Sequence, residues 1–329
     1  MRRATITGWG KYLPPNVMTN KDLEKIVDTT DEWIQKRTGI KKRRIADEDT
    51  ATSDLALEAT KEALENANLD PKELDLIIVS TVTPDMAFPA TACIIQDTIG
   101  ADNAAAFDLE AGCSGFVYGL SVGAQFIESG LYDNVLVIGA ETLSKITDWD
   151  DRNTCVLFGD GAGAAVLQAT DKGGFLSYDL GSDGSGADAL YMEAGGSLNP
   201  ASLETVKNKQ HYIRMEGNPV FKFAVKTMKN ASLDVLKKAN LTTDDVDLLI
   251  PHQANTRIIK SARRRLKLDK EEVYVNLPEV GNTSSASVAI AMAEARDKGK
   301  IKNGDNVLLV AFGAGLTWAA TVLEWNENI

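Results

Sequence analysis

Apolar residues in this chain gather into short, unbroken runs separated by longer amphipathic stretches. Leu74-Asp75-Leu76-Ile77-Ile78-Val79 and Val246-Asp247-Leu248-Leu249-Ile250-Pro251 are two such runs; Asp133-Asn134-Val135-Leu136-Val137 and Asp305-Asn306-Val307-Leu308-Leu309 are two more. Each is rich in Val, Ile and Leu and shows no polar face, as expected of strands buried on both sides by helices in a parallel or mixed sheet. Helical periodicity predicts helices over 54–66, 113–129, 220–239 and 285–298, and a further strand over 104–109 just before Cys113. The 113–129 helix carries Phe116, Val117, Tyr118, Leu120, Val122, Phe126 and Ile127 on nearly every side, so it is expected to be buried all round.

These elements are written twice. Asp75 and Asp247, Asp133 and Asp305, and Asn68 and Asn240 are each separated by 172 residues, and so are the starts of the 113–129 and 285–298 helices. The expected organisation is therefore a duplicated α/β protein with an N-terminal half over 1–172 and a C-terminal half over 173–329. A central helix from each half would bring both helix N-termini to the junction.

Composition narrows the class without changing this picture. With 329 residues, 44% hydrophobic and 25% charged, the chain is an ordinary globular one, large enough for two halves. The opening stretch alternates like a strand, and no run approaches the roughly 18 apolar residues of a membrane span, so neither a signal peptide nor a span is expected. Cys93, Cys113 and Cys155 are widely spaced and form no C-x-x-C, which argues against a disulfide framework or zinc site and for a reducing cytoplasm. A net charge of −12 disfavours nucleic acid as a partner. The exception is local: 252–268 contains six basic residues and no acidic one.

Three positions carry candidate chemistry. Cys113 lies in Glu110-Ala111-Gly112-Cys113-Ser114-Gly115, where a strand turns into the apolar helix. Unpaired N–H groups there favour a thiolate and hence a nucleophile, although an inert buried cysteine is an equal reading of the residue alone. Cys93 and Cys155 lack this setting and are expected in the core. Of the two histidines, His252 follows a buried strand in Pro251-His252-Gln253-Ala254-Asn255, the kind of strand end where α/β sites form. His211 falls in a polar stretch and reads as a surface loop residue. Asn282 lies in the small-residue turn Gly281-Asn282-Thr283-Ser284-Ser285-Ala286-Ser287, where plain helix capping is the alternative. Phe312-Gly313-Ala314-Gly315 could offer backbone N–H groups to an oxyanion or simply turn the chain. Phe158-Gly159-Asp160-Gly161-Ala162-Gly163 is not read as a nucleotide loop, because an apolar strand follows it and no Lys-Ser/Thr pair does.

In order and spacing these segments resemble β-ketoacyl-acyl carrier protein synthase III, end to end. The resemblance rests on Asp31-Glu32-Trp33-Ile34 with Arg37-Thr38-Gly39-Ile40, Phe88-Pro89, the Cys113 turn, Asp151-Arg152, the Phe158 to Gly163 run, Pro251 to Asn255, Gly281 to Ser284 and Phe312 to Gly315. It implies a thiolase-like duplicated five-layer α/β/α/β/α sandwich with mixed sheets. It implies that Cys113 accepts an acyl group from acyl-CoA, acetyl-CoA being the expected primer, and that malonyl-acyl carrier protein then condenses with loss of CO2. His252 and Asn282 would stabilise the enolate, and the amides of Cys113 and Ala314 the oxyanion. No metal and no cofactor is implied, CoA thioester being a substrate. Trp33 and Arg152 would sandwich the adenine, Arg37 would lie near the phosphates, and Gly217 and Asn218 along the pantetheine arm. Asn255 would support the hydrogen-bond network, and Phe88 would close the acyl pocket across a homodimer interface. Lys222 and the segment Gln253, Ala254, Asn255, Thr256, Arg257, Lys260, Arg263 and Arg264 would dock the acidic carrier protein, with Arg257, Lys260, Arg264 and Lys267 on one helical face. A solvated helix face is the alternative for that stripe.

Two positions depart from the family pattern: Gly112, where Ala is more usual, and Ala314, where Gly is usual and a strained glycine conformation would be harder to reach. The stretch 194–210 is longer than expected. A related condensing enzyme of a polyketide-type pathway is the nearer rival. A cysteine acyl hydrolase, which also uses Cys, His and Asn in that order, is the rival from another class, and a noncatalytic scaffold the third.

Overall fold

The structure, a computed structural model, describes residues 2–326. The short apolar runs form the cores of two sheets. The first contains β1 (Arg3–Tyr12), β2 (Leu76–Ser80), β3 (Ala105–Leu109), β4 (Asn134–Glu141) and β5 (Gly161–Thr170), in the order β1-β5-β4-β2-β3. Here β2 runs parallel to both β3 and β4, while β5 is antiparallel to β1 and β4. The second contains β6 (Gly174–Ser182), β7 (Leu248–Pro251), β8 (Asn306–Gly313) and β9 (Thr317–Glu324), in the order β7-β8-β9-β6. In this sheet only β7 and β8 are parallel. A bridge from Leu249 to Val273 stands where β3 stands in the first sheet. The register repeats as well: Leu76 pairs with Val135 and Leu248 with Val307, each partner displaced by 172 residues.

Helices cover both faces of both sheets, which is why the strands have no polar side. The labelled helices are α1 (Asp31–Thr38), α2 (Thr52–Ala67), α3 (Gly115–Glu128), α4 (Gly217–Lys238), α5 (Thr256–Leu266) and α6 (Ala286–Asp297). Alternate residues of one strand serve different layers. Ile78, Val135 and Val137 face inward onto Phe116, Leu120 and Ala124 of α3, in one cluster with Val288, Ala291 and Met292 of α6 and with Leu309 and Ala311 of the second sheet. Ile77, Val79 and Leu136 face outward onto Leu55, Ala59 and Ala63 of α2. On the far side, Leu308 and Val310 meet Met228 and Val235 of α4 and Ile258 and Ile259 of α5. The result is five layers, with α3 and α6 in the middle. Full burial of each large apolar side chain there contributes about 1.5–3 kcal/mol before entropy is counted.

The expected helices fall within a few residues of the observed ones. The exception is the start of the central helix: Gly112–Ser114 form a 3₁₀ turn and α3 begins at Gly115. Cys113 thus sits just ahead of the α-helix rather than as its first residue. Cys93 corrects the core assignment made for it. It is exposed, on the outward side of the Thr91–Thr98 helix beside the edge strand β3, whereas Cys155 is buried as expected. Residues 194–210 form a turn-rich excursion with a short helix, Leu203–Lys207, and leave Leu198 and Leu203 almost fully exposed.

Candidate active site

Three strand ends meet at the junction of the two sheets, and each delivers one wall of a cavity. From β3 the chain passes through Glu110 and Ala111 into the turn that holds Cys113. Gly112 makes this turn with φ 53°, and a side chain there would approach the Ala314 amide nitrogen to 2.7 Å. A Cβ on Gly313 would come within 2.3 Å of the Cys113 nitrogen. The cysteine turn and the 313–315 loop are therefore packed backbone to backbone, a closeness open only to glycine at those two positions. Thr317 fastens them together, since its hydroxyl lies 2.6 Å from Ser114 Oγ and donates to the Ala111 carbonyl at 2.8 Å. The strain expected at Ala314 is absent: the positive φ, 130°, belongs to the next residue, Gly315.

His252 follows β7 directly and is held by its amide, which donates to the Val310 carbonyl at 2.8 Å. Its ring is buried, stands edge-on to Phe312 with centroids 5.2 Å apart, and places Nδ1 2.6 Å from Ser287 Oγ. Burial alone drives its pKa down to about 3, so the imidazole is neutral at physiological pH. Asn282 is tied across the halves to the Phe158–Gly159 segment: its amide donates to the Leu157 carbonyl, and its carbonyl accepts from Gly159, both at 2.9 Å. That second contact gives the glycine-rich run after Phe158 a structural purpose. The side-chain Oδ1 of Asn282 accepts from the Ser284 amide at 2.9 Å, which orients the amide group and leaves its NH2 for other partners.

Cys113, His252 and Asn282 together line a cavity of about 650 Å³. It runs outward past Phe312, Leu157, Gly217, Asn218 and Asn255 to Arg37, Trp33 and Arg152. A second, apolar cavity of about 200 Å³ opens on the other side of Cys113 and is walled by Val82, Leu143, Ile146, Phe158, Leu190 and Ile213, with Ser284 and Ala314 beside the thiol.

The thiol itself departs from expectation. Burial pushes Cys113 up to about 12, and the charges of Glu141 and Glu110 push the same way, against a hydrogen bond from Ser284. Dry surroundings outweigh the helix end, and the resting side chain is a thiol rather than the expected thiolate. Glu141 is a further buried group the sequence did not flag. It receives the hydroxyls of Thr83 and Ser285, both at 2.7 Å, and the Val82 amide at 3.1 Å, with its carboxyl pushed up by desolvation.

The remaining candidates divide by position. Arg152 already stacks on Trp33, its guanidinium carbon 4.8 Å from the ring centre, and donates to the Asp28 carbonyl at 2.8 Å. No aromatic ring fits between them in this arrangement. Arg37 lies 5.6 Å from the same ring. Asn255 caps α5 by accepting from the Arg257 amide and holds the Arg37 carbonyl through its NH2. Arg257, Lys260 and Arg264 are exposed on α5, Lys222 is exposed on α4, and Arg263 is half-buried, donating to the Leu268 carbonyl. Gln253 is removed from the docking set. It is buried, and its side-chain amide is spent on the Pro251 and Tyr274 carbonyls and the Asn276 and Leu277 amides. Phe88 is 84% exposed and lines neither cavity. His211 is a half-buried turn residue whose ring lies tilted against Tyr212, centroids 4.1 Å apart. Ser284 and Ser287 carry contacts that the sequence does not single out, although both lie within the turn that holds Asn282.

Comparison with known proteins agrees with this geometry. Residues 107–184 match the family model described as 3-oxoacyl-[acyl-carrier-protein (ACP)] synthase III, and residues 236–325 match its C-terminal counterpart. The chain is 64% identical over 325 residues to β-ketoacyl-[acyl-carrier-protein] synthase III of Caldanaerobacter subterraneus subsp. tengcongensis, covering 98% of each. It is 49% identical to the crystal structure of 3-oxoacyl-[acyl-carrier-protein] synthase III from Aquifex aeolicus VF5, with TM-score 0.91 over 98% of this chain and 100% of that one. The priming β-ketosynthase of the R1128 polyketide biosynthetic pathway is 38% identical, with TM-score 0.91 over 99% and 97% of the two chains.

Proposed function

This chain belongs to the 3-oxoacyl-[acyl-carrier-protein] synthase III family of condensing acyltransferases, and from that premise we propose that it joins a short acyl group to malonyl-acyl carrier protein on Cys113, initiating fatty acid synthesis. The observation that carries this reading is the convergence of Cys113, neutral His252 and oriented Asn282 on one cavity, with a separate apolar cavity beside the thiol.

In the first step Cys113 Sγ attacks the thioester carbon of acyl-CoA. The carbon–sulfur bond to CoA breaks, and the thiol proton ends on the CoA sulfur. The facing amides of Cys113 and Ala314 are suited to hold the intervening oxyanion. Because burial keeps the resting thiol protonated, its proton leaves as the new bond forms rather than beforehand. In the second step the malonyl group loses CO2, and the electron pair passes into an enolate whose oxygen accepts from His252 and the Asn282 NH2. The enolate carbon then attacks the acyl-cysteine, a carbon–carbon bond forms, the carbon–sulfur bond to Cys113 breaks, and the departing thiolate takes a proton from solvent to restore the thiol. A cationic imidazole is not needed for this, only an N–H donor, which a neutral ring supplies.

Acetyl-CoA is the primer we assign, the small apolar cavity supporting a short acyl group. We place CoA along the larger cavity toward Trp33, Arg37 and Arg152, with Gly217, Asn218 and Asn255 beside the pantetheine arm; the reaction calls for no cofactor beyond this substrate. Carrier protein is assigned to the exposed α5 face with Lys222, Ala254, Thr256 and Arg263 at its margin. A homodimer is supported by the exposed Phe88, by the exposed Cys93 and by the open edge of β3. We treat 1–172 and 173–329 as the two halves, and the free cysteines suit a reducing cytoplasm. The priming ketosynthase likeness keeps a polyketide-type substrate as the second reading.

The test separates the half-reactions. Cys113→Ser abolishes acyl transfer, whereas His252→Ala and Asn282→Ala retain measurable acylation and lose decarboxylation by about 10²-fold or more. Equal loss of both half-reactions in His252→Ala would overturn the division of roles, and release of free acid without any response to malonyl thioester would point to a hydrolase.

A further inference from the structure

The turn that supplies Asn282 also supplies Ser287, and the same few residues bear on both enolate donors. Asn282 Oδ1 is occupied by the Ser284 amide, so its NH2 is the free end. The parallel at His252 is Ser287, the second residue of α6, whose hydroxyl lies 2.6 Å from Nδ1. A serine hydroxyl has one proton and two acceptor positions, so this contact alone leaves the ring's tautomer open. The Gln253 amide closes it. That N–H can only donate, and it donates to Ser287 Oγ at 3.4 Å. Among the described contacts this hydroxyl meets only the Gln253 amide and Nδ1, and of the two only Nδ1 can accept, so the hydroxyl proton goes to Nδ1. The histidine at the end of β7 and the serine of α6 are both buried, so water does not compete for the contact.

We infer that Ser287 is a positioning residue that holds His252 as the Nε2–H tautomer, so that the nitrogen left to the cavity is a hydrogen-bond donor. The inference rests on the condensing role given to His252. With the other tautomer, Nε2 would present a lone pair to the developing enolate oxygen and repel it. Decarboxylation therefore depends on Ser287, and Cys113 acylation does not.

The tautomer can be read directly, because the chain has only two histidines. Nitrogen-15 imidazole correlation spectra of the full-length protein at pH 7 would be recorded, with His211→Asn assigning the second ring. The expected spectrum shows His252 with its proton on Nε2. In Ser287→Ala the signals shift toward a tautomer mixture, CO2 release from malonyl-carrier protein falls about 10- to 100-fold, and burst acylation by acetyl-CoA is unchanged. Ser287→Thr keeps the hydroxyl and restores both the spectrum and the rate. A wild-type ring protonated on Nδ1 would overturn the inference, as would a Ser287→Ala protein with unchanged tautomer and unchanged decarboxylation. The spectrum stands whether or not condensation is observed, so failure of the tautomer assignment and failure of the condensing reading are separable.

Discussion

Cys113 and His252 are both buried at the inner end of the larger cavity, and the desolvation that lowers the imidazole pKa also raises that of the thiol. For His252 this is an asset, since a donor is wanted and a charge is not. For Cys113 it means that the thiolate fraction of the free enzyme is small at neutral pH. Alkylation of the free enzyme tests this at the residue itself: the rate of Cys113 modification by iodoacetamide, followed by peptide mass, is expected to climb about tenfold per pH unit from 7 to 9 without a plateau. The sign follows from a pKa raised to about 12, below which the thiolate fraction grows with every unit of pH. A rate already level at pH 7 would contradict it. Cys113, His252 and Asn282 were legible because each follows a strand end or opens a helix, a local signal. Ser287 and Glu141 were not, because their meaning lies in contacts with His252, Val82 and Thr83, which no spacing along the chain reveals. The thiolate expectation failed for a related reason: the helix end is local and visible in the sequence, whereas enclosure is not.

At the scale of elements, α5 shows what periodicity can and cannot divide. Its steps of three and four put Ile258, Ile259, Ala262 and Leu266 against α4 and leave Arg257, Lys260 and Arg264 outside, as the spacing implied. The residues just ahead of it obey no helical period, which is why Gln253 was grouped with the docking surface although it is buried and fully bonded. Arg257 is partly engaged over the Phe221 ring at 5.2 Å, so Arg264 is the cleaner probe of docking. Arg264→Glu is expected to raise KM for malonyl-carrier protein about tenfold and weaken its dependence on salt, with Cys113 acylation by acetyl-CoA unaltered. Steady-state kinetics at two ionic strengths check this, and an unchanged KM together with an unchanged salt response would assign α5 to solvent alone.

The molecule as a whole is a doubled design whose repeat is visible down to strand register, and the duplication was readable because a five-layer sandwich buries both faces of its strands and so writes them as uninterrupted apolar runs. What joins the halves was less readable. Thr317 reaches to Ala111 and Ser114, Asn282 to Leu157 and Gly159, and Ser285 to Glu141, all by hydrogen bonds between positions far apart in sequence. These cross-links hold Cys113 against His252 and Asn282, the junction at which we propose condensation through an acyl-cysteine. Intact-protein mass tests it most directly, measured after mixing with acetyl-CoA and again after adding malonyl-carrier protein. One acetyl group is expected on Cys113, discharged as acetoacetyl-carrier protein with release of CO2. An acyl-enzyme that gave up its acetyl group only to water, or product formed while Cys113 stayed unmodified, would contradict it.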